Sequence, residues 1–151
     1  MSNRFIDADG IYGRIPHSGA MRLLDAVVFW DERSIVCAAS SHAAPENPLR
    51  DNGALSSVHA LEYAAQAIAV HGSLLLPEGR NSKLKLVYVA TFREVEMHPG
   101  ALDERQDAAL SISATRVASL PNGWNYEFSV ASQDLVLARG KTVVVAPGAA
   151  T

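Results

Sequence analysis

Residues 55–75 read LSSVHALEYAAQAIAVHGSLL, and this stretch decides the fold. Apolar side chains recur along it at helical spacing, which predicts one long helix. The repeating positions are Leu55, Val58, Leu61, Ala65, Ile68 and Ala69. Most of the remaining circumference is alanine, valine and tyrosine, and a helix that is apolar nearly all round is a buried helix. Ser56 or Ser57 is expected to cap its start, and Gly72 followed by Pro77 to end it.

Runs with strand character lie on both sides of this helix. Residues 23–30 and 34–40 precede it as a predicted hairpin, and four runs follow it, at 83–92, 108–117, 124–131 and 135–145. A buried helix needs cover on most sides. We therefore predict an α+β fold in which a strongly curved antiparallel sheet wraps around one long central helix. Residues 1–151 are expected to form a single domain with a frayed tail at 147–151.

Composition excludes several classes of protein. Hydrophobic residues make up 48% of the 151 residues and charged residues 19%, which is the opposite of a disordered chain. The net charge of −3 argues against a nucleic-acid partner, because phosphate binding favours a basic domain. Cys37 is the single cysteine, so an internal disulfide and a cysteine-rich zinc site are excluded. No metal-binding or nucleotide-binding motif is present, and no bound metal is expected.

The sequence predicts neither a secretory signal at its start nor a membrane-spanning segment. Residues 1–11 contain no apolar run long enough for a secretory signal. The apolar stretch at 58–76 carries His59, Glu62, Gln66 and His71, which makes it too polar for a membrane span. We expect a cytoplasmic protein.

Glu62 is the most informative residue of the helix. A glutamate in a buried helix needs a partner. Gln66 follows one turn later and His59 precedes it by three residues, so the three side chains share one face. One interpretation is a structural pair between Glu62 and Gln66 or a distant arginine. The other is an acid/base carboxylate in an apolar pocket.

The helix start and the histidines add further candidates. The first backbone N–H groups of a helix have no partner within it and can bind a carbonyl oxygen that gains negative charge. Among the histidines, His59 lies close to Glu62, and His17 lies in a loop fixed by a proline and a glycine, so both are candidate catalytic residues. His71 is expected to interact with the helix dipole, and His98 to lie in a loop.

A basic run follows the helix. Residues 80–93 contain four basic residues and no acidic one: Arg80, Lys83, Lys85 and Arg93. One interpretation is a solvated strand edge protected by lysines. The other is a docking surface for an acidic partner.

Three motifs resemble those of hotdog-fold 3-hydroxyacyl-ACP dehydratases. Residues 15–25, IPHSGAMRLLD, are similar to the "LPH…PMLLLD" opening of these proteins. Residues 60–67, ALEYAAQA, resemble the motif of their central helix, a glutamate followed four residues later by glutamine. Residues 47–50, NPLR, resemble an "NPL" or "HPL" element that precedes the helix in dehydratase-like proteins of aryl-polyene and related lipid gene clusters. The resemblance covers residues 15–145.

The resemblance implies a fold, a reaction and partners. The fold would be the hotdog fold, with the sheets of two subunits joined in a homodimer or a higher oligomer. The substrate would be a 3-hydroxyacyl thioester carried on the phosphopantetheine arm of an acyl carrier protein or of coenzyme A. It would be dehydrated to a 2-enoyl thioester in fatty-acid-like or aryl-polyene lipid biosynthesis, with no further cofactor.

The resemblance also implies roles for individual residues. Glu62 matches the carboxylate that helps to protonate the departing 3-hydroxyl. Ser57 or Val58 matches the helix-start N–H that binds the thioester oxygen, and Asn47 and Gln66 join them as substrate-binding candidates. The family's catalytic histidine precedes the helix in a loop, at the position that Asn47 and Pro48 occupy here. The base would therefore be His17, His59 or a histidine of a dehydratase-like partner subunit.

Two alternatives to the dehydratase stay open. A hotdog thioesterase acting on acyl-CoA or acyl-ACP would use Glu62 to activate water or to attack the thioester, and it would need no loop histidine. A non-catalytic acyl-binding subunit of a heteromeric dehydratase would keep the same pocket and leave the missing histidine to its partner.

Overall fold

The computed structural model describes residues 5–15, 19–75, 88–102 and 108–145. Its two α-helices are α1 (Ala8–Tyr12) and α2 (Ala60–Leu74), and a 3₁₀ turn at Ser57–His59 leads into α2. Its strands are β1 (Ile6–Asp7), β2 (Ala26–Trp30), β3 (Ser34–Ala39), β4 (Tyr88–Met97), β5 (Leu110–Leu120), β6 (Gly123–Ser132) and β7 (Leu135–Val145). These strands form one antiparallel sheet in the order β1-β2-β3-β5-β6-β7-β4. The predicted α+β architecture is confirmed.

The sheet packs on α2 through alternate residues of its central strands. In β3 and in residues 110–114 of β5 every second side chain is buried, as the two-residue period of a strand requires. These inward residues join the core with α2: Ile35, Cys37, Ala39, Leu110, Ile112 and Ala114. No residue of α2 is exposed, so the predicted buried helix is confirmed. Leu61, Glu62, Ala65 and Ala69 are only half-buried and form the partly open side of α2.

Helix α2 begins later than the predicted residue 55. Leu55 and Ser56 are held in an extended segment, because the Leu55 carbonyl accepts a hydrogen bond from Leu102 N–H at 2.6 Å and Ser56 forms a β-bridge with Ala101. Ser56 then caps the 3₁₀ turn, its Oγ accepting from Val58 N–H at 3.3 Å. Pairing with a distant segment therefore overrides the helical pattern at these two positions.

Strand β4 extends five residues beyond its predicted end at 92. Arg93, Glu94 and Glu96 are charged and break the apolar pattern, but all three are exposed. Across the sheet, Lys141 pairs with Glu94 at 3.0 Å and Arg139 with Glu96 at 3.3 Å. The chain accommodates these residues through a bulge in the β4–β7 pairing. Residues 83–87, Pro77 and the tail at 147–151 lie outside the described residues.

The N-terminal elements β1 and α1 have no counterpart in the sequence-based prediction. Asp7 caps α1, with its Oδ1 accepting from Gly10 N–H at 2.9 Å, and β1 pairs with β2 at one edge of the sheet. This short hook places Tyr12 at the end of a helix with its side chain buried. In the described parts of the chain, none of the helices has the length and apolar character needed to span a membrane.

Candidate active site

Glu62 lies in the first turn of α2, on its partly open side. Its Oε1 accepts a hydrogen bond from Gln66 Nε2 at 3.3 Å, the one-turn pairing predicted from the sequence. A half-buried carboxylate with an amide holding one oxygen is fixed in orientation and still reachable from outside. The predicted role of Glu62 as an acid or base stays a prediction.

Gln66 is fully buried, and its side-chain amide is surrounded by protein groups. Its Oε1 accepts from the Tyr12 hydroxyl at 2.6 Å and from Leu23 N–H at 3.4 Å. Its Nε2 donates to the Met21 carbonyl at 2.9 Å and to Glu62. Through these hydrogen bonds Gln66 orients Glu62 and fixes the segment at residues 21–24. Its assignment to substrate binding stays a prediction.

Tyr12 completes this cluster, and sequence reasoning missed it. Its hydroxyl donates to Gln66 and accepts from Leu24 N–H at 2.8 Å. Burial raises the pKa of the Tyr12 hydroxyl to about 12, so it keeps its proton at neutral pH. The signal that could have found it is the apolar pair of Ile11 and Tyr12 ahead of the loop, since both are buried.

Asn47 occupies the loop position at which the family resemblance leads one to expect a histidine. Its Nδ2 donates to the Ser41 carbonyl at 2.9 Å and to the Tyr63 hydroxyl at 3.2 Å, and its Oδ1 accepts from Leu49 N–H at 2.9 Å. The Tyr63 hydroxyl lies 2.7 Å from Ser41 Oγ, and burial raises its pKa. Asn47 thus ties the loop to α2 one residue after Glu62. Its role in substrate binding stays a prediction.

Two backbone N–H groups lie at the start of α2, those of Ser57 and Val58, and the Val58 group is more available to a ligand. Ser57 N–H donates to the Gly100 carbonyl at 3.3 Å, and Ser57 Oγ donates to the His98 carbonyl at 2.8 Å. Val58 N–H meets only a serine hydroxyl in the contacts described, that of Ser56 at 3.3 Å, and Val58 is exposed. A hydroxyl can rotate away, whereas the backbone carbonyl of Gly100 is held by the chain. Val58 is therefore the better candidate for an oxyanion donor.

The end of β4 also forms a groove with β7. This groove has a volume of about 340 Å³ and is lined by Glu96, Met97, His98, Val136 and Arg139. Met97 and Val136 are large apolar side chains left exposed, each at 44%. His98, predicted to be an ordinary loop residue, is thus brought to the helix start by the end of β4.

The other histidines separate into different regions. His59 is half-buried in the 3₁₀ turn, three residues before Glu62. His17 lies outside the described residues. His71 is buried near the far end of α2, with Nε2 2.8 Å from the Asp31 carbonyl and Nδ1 2.6 Å from the Tyr126 hydroxyl.

The His71 contacts correct its predicted role at the helix dipole. A dipole interaction favours a charged imidazolium, but burial lowers the pKa of His71 below its ordinary value. Because the Asp31 carbonyl can only accept, His71 Nε2–H donates to it, and Nδ1 accepts from the Tyr126 hydroxyl. His71 is a neutral core residue in a polar cluster away from Glu62.

One residue of the predicted basic run, Arg93, lies within the described residues. Arg93 is exposed on β4, whereas Arg80, Lys83 and Lys85 lie outside the described residues. Within the described ranges, no three histidine, cysteine, aspartate or glutamate side chains come close enough together to hold a metal ion.

Comparison with known proteins gives a family and a fold. A sequence model of the ApeP-like family, described as ApeP dehydratase, matches residues 11–151. None of the curated proteins matches the chain significantly.

Among solved structures, the dehydratase heterocomplex ApeI:P from Xenorhabdus doucetiae is similar with a TM-score of 0.75 at 21% identity, covering 96% of this chain and 93% of that one. A thioesterase from Haemophilus influenzae has a TM-score of 0.61 at 14% identity, with 93% and 92% covered. A Streptococcus mutans protein bound to acetyl CoA has a TM-score of 0.56 at 11% identity, with 81% and 87% covered. The shared arrangement of one curved sheet around one long helix is the hotdog fold.

Proposed function

This chain belongs to the ApeP-like dehydratase family, and we propose that it takes part in dehydrating a 3-hydroxyacyl thioester to a 2-enoyl thioester. The reaction removes the C2 proton and the C3 hydroxyl, which leave together as water. The observation that carries this proposal is the family match over residues 11–151, which includes the whole cluster around Glu62.

In this proposal Glu62 acts on the departing hydroxyl. A carboxylic acid that donates its proton to the C3 oxygen converts a poor leaving group, hydroxide, into water. Glu62 is half-buried and so partly accessible, and its hydrogen bond to the Gln66 amide limits its rotation. The Val58 N–H lies one turn earlier, where it would stabilise negative charge on the thioester oxygen as the C2 proton leaves.

The acyl group would arrive on a phosphopantetheine arm, from an acyl carrier protein or from coenzyme A. The arm belongs to the substrate, so the chain itself would need no other organic cofactor. The thioester matters chemically because it acidifies the C2 proton more than an ester would. The family resemblance of residues 15–25 and 60–67 supports this choice of substrate class.

We further propose that a dehydratase-like partner subunit supplies the catalytic base. Asn47 and Pro48 stand where the hotdog-fold 3-hydroxyacyl-ACP dehydratases carry their loop histidine, and the Asn47 amide is engaged by Ser41, Leu49 and Tyr63. An asparagine amide cannot remove a proton from carbon. The related Xenorhabdus doucetiae structure is described as a heterocomplex, which supports a second, different subunit. His17 and His59 are the candidates within the chain if it acts as a homodimer.

The test is an assay of the purified chain, alone and with its dehydratase-like partner. The substrates are a short 3-hydroxyacyl thioester and its 2-enoyl counterpart, and enoyl absorbance and free thiol are followed in the same sample. We expect enoyl interconversion without thiol release, and a much higher rate in the presence of the partner. Thiol release as the main reaction would instead make the protein a thioesterase.

Replacing Glu62 tests its role within the active complex. We expect Glu62→Gln to lower kcat by roughly 10²- to 10⁴-fold, because the amide cannot donate a proton as an acid does. Glu32→Gln, at an exposed glutamate in the turn between β2 and β3, is the matched control and should keep the rate. Full dehydration activity in Glu62→Gln would show that Glu62 is not the acid, and another group of this chain or of the partner would have to protonate the departing hydroxyl.

A further inference from the structure

Three backbone groups fix the orientation of the Gln66 amide. Leu23 N–H can only donate, so the atom facing it must be Oε1. The Met21 carbonyl can only accept, so the atom facing it must be Nε2. Leu24 N–H donates to the Tyr12 hydroxyl, which leaves the hydroxyl proton of Tyr12 for Gln66 Oε1. The amide therefore has one orientation, in which it presents an N–H to Glu62.

Tyr12 makes the shortest contact with this amide. Its hydroxyl lies 2.6 Å from Gln66 Oε1, compared with 3.4 Å for Leu23 N–H. Because burial keeps the phenol protonated, Tyr12 donates to Oε1 across the neutral pH range. A donor on the oxygen of an amide polarises it and makes its N–H groups better donors. The hydrogen bond that Gln66 Nε2 donates to Glu62 is therefore strengthened.

We propose that Tyr12 is a positioning residue for the reaction, which holds Gln66 so that its Nε2 orients the Glu62 carboxylate. This inference rests on the proposed function, because it assumes that Glu62 acts on the substrate. Tyr12 itself contacts neither Glu62 nor the space beside it in the contacts described, so its action passes through Gln66. The N-terminal hook of β1 and α1 thereby becomes part of the catalytic apparatus.

The kinetic test uses Tyr12→Phe, which removes one hydroxyl and keeps the buried ring. In the active complex, we expect kcat to fall roughly tenfold with KM little changed, since a misoriented carboxylate slows the chemical step rather than binding. In a Glu62→Gln background, Tyr12→Phe should cause no further loss, because the group it orients is gone. A purely structural role would lower activity in both backgrounds alike.

The matched control is Tyr126→Phe. Tyr126 is also fully buried, and its hydroxyl also bonds to a side chain of α2, but that side chain is His71. The same chemical change is thus made away from Glu62. We expect Tyr126→Phe to keep a kcat near that of the natural protein. An equal fall of kcat in both variants would overturn the proposal, because it would reflect general loosening of the core.

A second measurement does not depend on activity, and its first part uses the natural protein alone. By NMR, the side-chain Nε2–H protons of Gln66 in the natural protein should exchange with water far more slowly than those of exposed Gln133. In Tyr12→Phe their exchange should speed up, and in Glu62→Gln their resonances should shift. Gln66 protons that exchange as fast as those of Gln133 would overturn the proposal.

The two measurements separate failure of this inference from failure of the proposed function. If Glu62→Gln abolishes dehydration and Tyr12→Phe keeps the full kcat, Tyr12 has no positioning role and the proposed function stands. If the complex dehydrates no 3-hydroxyacyl thioester, the proposed function fails and Tyr12 cannot position a catalytic group. The NMR result then shows only whether Tyr12 holds the Gln66 amide.

Discussion

Two buried polar clusters anchor α2, one in its first half and one near its end. In the first half, Gln66 meets Tyr12 and Glu62, and near the end His71 meets Tyr126. The second cluster extends outward through Arg116, whose Nη2 donates to the Tyr126 hydroxyl at 3.1 Å and whose guanidinium stacks 4.0 Å above the Trp124 ring. Buried polar groups are costly unless they are bonded, so each cluster ties α2 to one register against its surroundings.

The contacts of His71 predict that the folded protein loses stability at acidic pH. Burial lowers the pKa of His71 below its ordinary value of 6.5, and the positive charge of Arg116 acts in the same direction. Between these two pKa values the unfolded chain binds a proton that the folded protein does not. The free energy of unfolding therefore falls as the pH drops from 6.5 to 5.5, and His71 contributes to this fall.

Urea unfolding at both pH values, compared with His71→Gln, measures this contribution. Glutamine keeps a donor and an acceptor but does not titrate, and other groups cancel in the difference. The natural protein should lose more stability on acidification than the variant. Equal losses in the two proteins would show that His71 does not contribute.

At the scale of elements, the hairpin between β5 and β6 depends on close backbone approach. A two-residue turn at Pro121 and Asn122 joins the strands, with Leu120 paired to Gly123. Gly123 also pairs with Val145 of β7, so it lies between two strands. A Cβ added there would overlap the carbonyl oxygen of Val144. The absence of a side chain at position 123 therefore allows three strands to meet.

We expect Gly123→Ala to lower the free energy of unfolding by about 2 kcal/mol or more, because the β6–β7 pairing must open to admit a methyl group. The control is Gly13→Ala at the end of α1, where φ is −74° and the nearest atom lies at an ordinary 3.4 Å. That change should be neutral or slightly stabilising. Chemical denaturation of both variants measures the difference, and similar stabilities would contradict the packing argument.

At the scale of the molecule, the two edges of the sheet differ. One edge is β1, with two residues, and the other is β4, with ten residues and one described neighbour, β7. A long strand edge is a natural place for a second chain to pair. The end of β4 reaches the start of α2, where the His98 and Gly100 carbonyls hold Ser57. A subunit joined at β4 would therefore reach the neighbourhood of Glu62.

Hydrogen exchange of the backbone amides tests this placement of the partner. On addition of the dehydratase-like subunit, we expect slower exchange within residues 88–97, because new strand pairing protects N–H groups on the open side of β4. Exchange at β1 should not change, which provides an internal control. Protection at β1 without protection at β4 would place the partner at the other edge.

Local pattern was sufficient for much of the fold. The spacing of apolar residues in 55–75 predicted the buried helix, and the run at 135–145 predicted β7 with its observed bounds. The pairing of Glu62 with Gln66 also followed from helical spacing. Errors arose where long-range pairing decides the structure, as at Leu55, and where exposed charges interrupt a strand, as at Glu94.

By itself, the sequence determined that a buried helix carries a glutamate and a glutamine on one face beneath a largely antiparallel sheet, because periodicity within a segment reports which side chains face the core. Only the tertiary structure decided what those polar groups meet. The hydroxyl that holds Gln66 comes from Tyr12, 54 residues earlier, and the hydroxyl that meets His71 comes from Tyr126, 55 residues later. A buried amide or imidazole must find a partner, but the partner's identity depends on how distant segments pack, and no local pattern contains that information.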